Sequence, residues 1–150
     1  MKKTIFLDFD GVLHGEGIDS KGVFEHLEIF CETVRPFIKN IQIVISSSWR
    51  ESYKIEKIKK FFEDDIQESI VGFTPVHIDG FDHGGREREI MDYCALNSIT
   101  DWIAIDDMER LFSPDCKNLI LCDSQYGLGY GELKILEYFL KQEANEIYKC

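Results

Sequence analysis

The chain has 150 residues, 44% of them hydrophobic and 13% aromatic, which is enough apolar material for one packed core and too little for two domains. Its formal net charge of −11 opposes a broad nucleic-acid or anionic-membrane surface, because polyanions are repelled at long range, while a local basic patch is still allowed. No run approaches the roughly 18 apolar residues of a transmembrane helix, Asp8 and Asp10 interrupt the apolar stretch after Lys3 before it could serve as a signal segment, and a soluble, cytoplasmic protein with no membrane partner is expected.

Apolar and amphipathic segments alternate along the whole chain with no repeat or linker, the pattern of an α/β fold: a single Rossmann-like domain over residues 1–150 with a mainly parallel five-stranded sheet flanked by helices. The first strand is expected over residues 4–9. Residues 11–30 open with three glycines and continue with Val23, Phe24, Leu27 and Phe30 at roughly helical spacing. Pro36 belongs near a helix start, with Thr33 as its N-cap, because an interior proline costs about 3 kcal/mol. Further strands are expected over 41–46, 70–73, 102–105 and 118–122, short continuous runs of Ile, Val, Leu and Phe that suit burial on both faces. Crossover helices are expected over 53–62, with Ile55, Ile58 and Phe62 on one side, and over 88–96, with Ile90, Tyr93 and Cys94. A last helix over 133–140 carries the stripe Leu133, Leu136, Leu140. Five cysteines, Cys31, Cys94, Cys116, Cys122 and Cys150, form no CxxC pair and read as small buried hydrophobes in the reduced state.

Chemistry gathers where strands end. Ile5-Phe6-Leu7-Asp8-Phe9-Asp10-Gly11 is a buried strand closing in two carboxylates one residue apart, then a glycine that lets the chain turn away. Ligands of open α/β sheets bind beyond the carboxyl ends of the strands, so Asp8 and Asp10 are placed to hold Mg²⁺ and to attack a phosphorus centre. Taken alone, such a pair serves equally well to solvate a turn. Ser46-Ser47-Ser48 follows the second strand, and its hydroxyls suit a phosphoryl oxygen; Ser48 and Glu51 fit a capping box, which leaves Ser46 or Ser47 for substrate, with Arg50 close by. Gly84-Gly85-Arg86 opens a helix with a cation beside free amides, a combination for an anion, whereas Arg88 reads as solvated. Asp106 and Asp107 end another buried strand, and that concentration of negative charge costs stability unless a cation offsets it.

These segments, in this order and over nearly the whole chain, resemble motifs one to four of the haloacid-dehalogenase-like (HAD) phosphatases. DFDGV, SSSWR, GFTP, GGRxxEI and WIAIDD further resemble a small capless subgroup found in RNA-repair contexts. The resemblance implies that Asp8 is the nucleophile and Asp10 the general acid and base. It makes Ser47, with Ser46 as the alternative, the phosphate-binding hydroxyl, and Arg86 the phosphate clamp where the family usually has Lys. Mg²⁺ would be held by Asp8, by Asp106 and Asp107, and by the backbone carbonyl of Asp10. The second aspartate of the first motif argues for a phosphatase over a dehalogenase.

Other residues carry less. His77, Asp79, Asp82 and His83 match no metal-ligand spacing and read as a polar rim loop. Lys54, Lys57, Lys59 and Lys60 form a solvated face with Glu51, Glu56 and Glu63, and His14 and Glu16 sit in a flap within reach of substrate. The gaps before Ser46 and before Arg86 are too short for a large cap, so the site should be open to a phosphate on a nucleic-acid end or a protein side chain. The subgroup favours a nucleic-acid 3′ or 5′ end; the acidity opposes it. A small-metabolite or nucleotide phosphatase is the rival enzyme, and a non-enzymatic binding module the rival of another class.

Overall fold

A computed structural model describes residues 2–143. Its centre is a five-stranded, all-parallel sheet of β1 (Lys3–Leu7), β2 (Ile41–Ile45), β3 (Ile70–Phe73), β4 (Trp102–Asp106) and β5 (Leu119–Leu121), in the spatial order β3-β2-β1-β4-β5. Every strand expected from its apolar run is present. The first two end before the polar residue that closes the run, so Asp8 and Ser46 fall just past the ends of β1 and β2, whereas β4 extends one residue further and includes Asp106. The strand order reverses between β1 and β4, and such a switch point opens a crevice at the carboxyl edge.

Side-chain alternation divides the core. Ile5, Leu7, Ile43 and Ile45 face one layer, built from α1 (Leu27–Val34), α2 (Ile55–Lys59), α3 (Asp64–Gln67) and α5 (Tyr130–Lys141), through Phe30, Ile58, Ile66 and Leu136. Phe6, Val44 and Ala104 face the other layer, where α4 (Gly85–Asn97) packs through Ile90 and Cys94 and the ring of Phe6 meets Tyr93 and Trp102 edge-on. This two-sided burial explains the unbroken apolar strands. Among the described residues only short helices and β3 occupy the two gaps where a cap would be inserted, and no helix is long and apolar enough to cross a membrane.

Several boundaries differ from expectation. Pro36 lies in a 3₁₀ helix (Arg35–Asn40) that continues directly from α1; Thr33 does not cap it, since its hydroxyl donates back to the Ile29 carbonyl. The helix expected over 53–62 stops at Lys59, and α3 follows as a separate turn, because Phe61 and Phe62 dip into the core through a turn that continues the same apolar spacing. The periodicity read from Val23 and Phe24 also misleads. Val23 is exposed, and Phe24 has φ +61°, a left-handed conformation that costs an L residue about 1–2 kcal/mol.

Cys31, Cys94, Cys116 and Cys122 are free thiols, and burial pushes Cys31 and Cys94 up to about 11, so neither is a ready nucleophile at neutral pH. Cys150 lies outside the described residues.

Candidate active site

The register brings the strand-end residues together. Leu7 pairs with Ile45 on one side and Ile105 on the other, so the next residue, Asp8, stands beside Ser46 and Asp106. One carboxylate oxygen each from Asp8, Asp106 and Asp107 lies within 4.8 Å of the others. Arg86, delivered by the first turn of α4, reaches Asp106 Oδ2 at 2.9 Å and Asp8 Oδ1 at 3.4 Å. Asp106 Oδ1 accepts from the Met108 amide at 2.9 Å, and Asp107 Oδ2 from the Ser124 hydroxyl at 2.7 Å. Burial holds the Asp8 carboxyl well above the usual carboxylate range and Asp106 raises it further, while Arg86 pulls it down; burial raises Asp106 as well, again against Arg86. Three carboxylates face one guanidinium, so the cluster is short of positive charge. Its donors are all hard oxygen, the set that a small divalent cation prefers.

Two glycines make this convergence sterically possible. A Cβ on Gly11, itself at φ +75°, would lie 2.2 Å from Asp107 Oδ2, and one on Gly85 would lie 2.2 Å from the Gly80 carbonyl oxygen, at the turn that delivers Arg86.

Asp10 sits apart from the oxygen cluster. Its Oδ1 is 2.9 Å from His14 Nε2 and its Oδ2 accepts from the Trp49 indole N–H at 3.0 Å. Asp8, Asp10, Arg86 and Asp107 line one cavity of about 290 Å³ with Glu16, Ser48, Phe81, Met108 and Ser124. A cavity of about 1010 Å³ lies along the outer side of α4, between Met91, Phe112 and Pro114. It is larger, but neither Asp8 nor the other cluster carboxylates line it, so size does not mark the chemistry here.

The serine roles are redistributed. Ser47, not Ser48, caps the 3₁₀ turn Ser48–Glu51, accepting from the Trp49 amide at 3.2 Å. Ser46 Oγ is buried with no partner among the described residues, and Ser48 is the serine that lines the cavity. Arg50 is a correction to the expected substrate contact. Its five N–H groups donate to the carbonyls of Ser46, Ser47, Thr74 and Pro75 and to Glu89 Oε1 at 3.0 Å, which leaves none for a ligand. Glu89 Oε2 accepts from the His77 amide at 2.8 Å. Glu89→Ala would strand a buried guanidinium and should cost about 3–5 kcal/mol, read as a lowered urea midpoint. A loss below about 1 kcal/mol would show that the pair is not what ties these segments together.

His77 pairs with Asp92 at 2.8 Å and Arg88 with Asp79 at 3.1 Å, and Asp8, Asp106 and Asp107 are the only metal-sized carboxylate group among the described residues.

A family model for the HAD domain in Swiss Army Knife RNA repair proteins matches residues 4–131. The chain belongs to that family. Comparison with curated proteins and with solved structures gives no match. The match covers all five strands of this HAD domain except Lys3 and ends two residues into α5. Ser124 and Trp49 are members of the site that sequence reasoning passed over. The strand-end rule that flagged Asp106 applies equally to β5 and would have found Ser124, whereas nothing local marks the Trp49 indole as a partner of Asp10.

Proposed function

We propose that this HAD domain is a Mg²⁺-dependent phosphomonoester hydrolase that works through an aspartyl-phosphate on Asp8. The observation that carries the reading is the cluster of Asp8, Asp106 and Asp107 around Arg86, of which Asp8, Asp107 and Arg86 line one cavity together with a separately held Asp10. Asp8 attacks phosphorus, and the bond to the leaving oxygen breaks as Asp10 hands that oxygen a proton; Asp10 then takes a proton from the water that hydrolyses the acyl-phosphate, regenerating Asp8. Arg86, with Ser46 or Ser47, holds the phosphoryl oxygens. Bound by Asp8, Asp106, Asp107 and the Asp10 carbonyl, Mg²⁺ would supply the positive charge that the cluster lacks and draw phosphate towards the nucleophile.

A phosphate on a nucleic-acid end is the favoured substrate, supported by the family description and by the lack of a cap among the described residues. The net charge of −11 favours smaller nucleotide or metabolite phosphates instead, and phosphoprotein remains a third class for an open site. A screen over phosphorylated oligonucleotides, phosphopeptides, nucleotides and sugar phosphates should show turnover that EDTA removes and Mg²⁺ restores. Ca²⁺ should fail, since its higher coordination number misplaces the nucleophile. Turnover that survives exhaustive chelation excludes the metal mechanism, and Mg²⁺ and phosphate binding without turnover on any class identifies a binding module.

A further inference from the structure

His14 stands one step behind the site: its side chain is 10% exposed, and it does not line the cavity that Asp10 lines. The Asp10 side chain, by contrast, is 43% exposed, and a carboxylate that open would ordinarily turn freely. Both of its oxygens are nonetheless engaged, one by His14 Nε2 at 2.9 Å and the other by the Trp49 indole N–H at 3.0 Å. The far side of the imidazole settles which nitrogen donates. Its Nδ1 faces the backbone N–H of Phe24 at 3.3 Å, and because an amide N–H only donates, Nδ1 must accept and the ring proton must sit on Nε2, aimed at Asp10. That amide is directed there by the left-handed conformation of Phe24, which is unfavourable for an L residue and is held by the packing of its ring against Phe9, Trp49 and Phe61 at centroid distances of 5.5, 5.1 and 5.3 Å.

We infer that His14 is a positioning residue that, fixed as a donor by the Phe24 amide, clamps the Asp10 carboxylate against Trp49 in the orientation its acid–base work requires. The inference rests on the reading of Asp10 as the acid and base. His14 acts through Asp10 and does not touch substrate. The aromatic cluster of Phe9, Phe24, Trp49 and Phe61 is then the support of the clamp as well as a piece of core, since Trp49 supplies the second donor and Phe24 orients the first.

A double-mutant cycle in the full chain tests this, using an activated aryl phosphate so that Asp10→Ala keeps measurable turnover. His14→Ala should lower kcat about 10- to 100-fold with KM unchanged, the scale of an ångström-level misplacement of a reacting group. His14→Gln, which presents an N–H at similar reach, should recover most of that loss. In an Asp10→Ala background, His14→Ala should have no further effect. The Trp49 indole N–H resonance, assigned with Trp49→Phe, should move in both Asp10→Ala and His14→Ala. An equal loss from His14→Ala with and without Asp10, or a His14→Gln no better than His14→Ala, overturns the clamp. If His14→Ala does not fold, His14→Gln and the indole resonance in Asp10→Ala decide. If the wild-type chain turns over no phosphoester, the acid–base reading fails on its own, and the clamp is still judged by the indole resonance: no change on altering His14 overturns it.

Discussion

Asp8→Asn is expected to lower turnover by at least about 10³-fold while the fold survives, because an amide oxygen cannot form the acyl-phosphate. The same substitution should make the metal-free protein more stable at neutral pH. Asp8 is buried among Asp106, Asp107 and a single Arg86, and burial holds its carboxyl well above the ordinary range. The folded state therefore binds a proton that the unfolded state has already released, and the wild-type chain loses stability as pH rises above the ordinary carboxylate range. The amide removes that penalty. The gain should shrink as pH falls towards about 4, where the unfolded chain is protonated too, and Mg²⁺ should favour the wild type over the variant. Each kcal/mol gained corresponds to roughly 2–4 °C in a chain of this size, so thermal unfolding with and without EDTA resolves it. Wild-type turnover in folded Asp8→Asn would remove Asp8 from the nucleophile's role; an unaltered melting temperature would show that the three carboxylates are already compensated.

Asp10→Asn should separate the two half-reactions. The backbone carbonyl is kept and the proton donor is lost, so alkyl phosphates, whose leaving groups need a proton, should slow by about 10²–10⁴-fold, the usual contribution of general acid catalysis. Aryl phosphates should be spared in the first step, because their leaving groups depart unprotonated. Hydrolysis of the acyl-phosphate still needs a base, so phosphoenzyme should accumulate with aryl substrates and be trapped by rapid quench. Small, equal losses for both esters without a trapped intermediate would show that Asp10 is neither acid nor base.

The parts of the molecule legible in the sequence are those fixed by short-range rules. Five runs of Ile, Val, Leu and Phe became five strands because burial on both faces leaves no room for alternation, and the polar residue that ends a run is also the residue a parallel sheet presents at its ligand-binding edge. Asp8, Asp106 and Asp107 came together for that reason. What stayed hidden depends on loops folding back over long sequence distances. Arg50 looked available to substrate because its acceptors, Thr74, Pro75 and Glu89, lie 24 to 39 residues away. The break between α2 and α3 was masked because Ile58, Phe62 and Ile66 keep helical spacing across a chain that turns between them. Trp49 lies 39 residues from Asp10, and His14 is backed by the amide of Phe24, whose left-handed backbone no periodicity announces.

The bonding of Arg50 gives the two sides of the site different capacities for change. One guanidinium joins the end of β2, the segment after β3 and, through Glu89, the helix that carries Arg86, so these stretches behave as a single block in which no member shifts alone. The Asp10 side is tied to that block at one point, the Trp49 indole, and otherwise rests on residues 12–26, which contain no α-helix and no strand beyond a single bridge at His14. Substitutions among residues 12–26 can therefore be accommodated one at a time, while a change at Arg50 or Glu89 disturbs several segments at once.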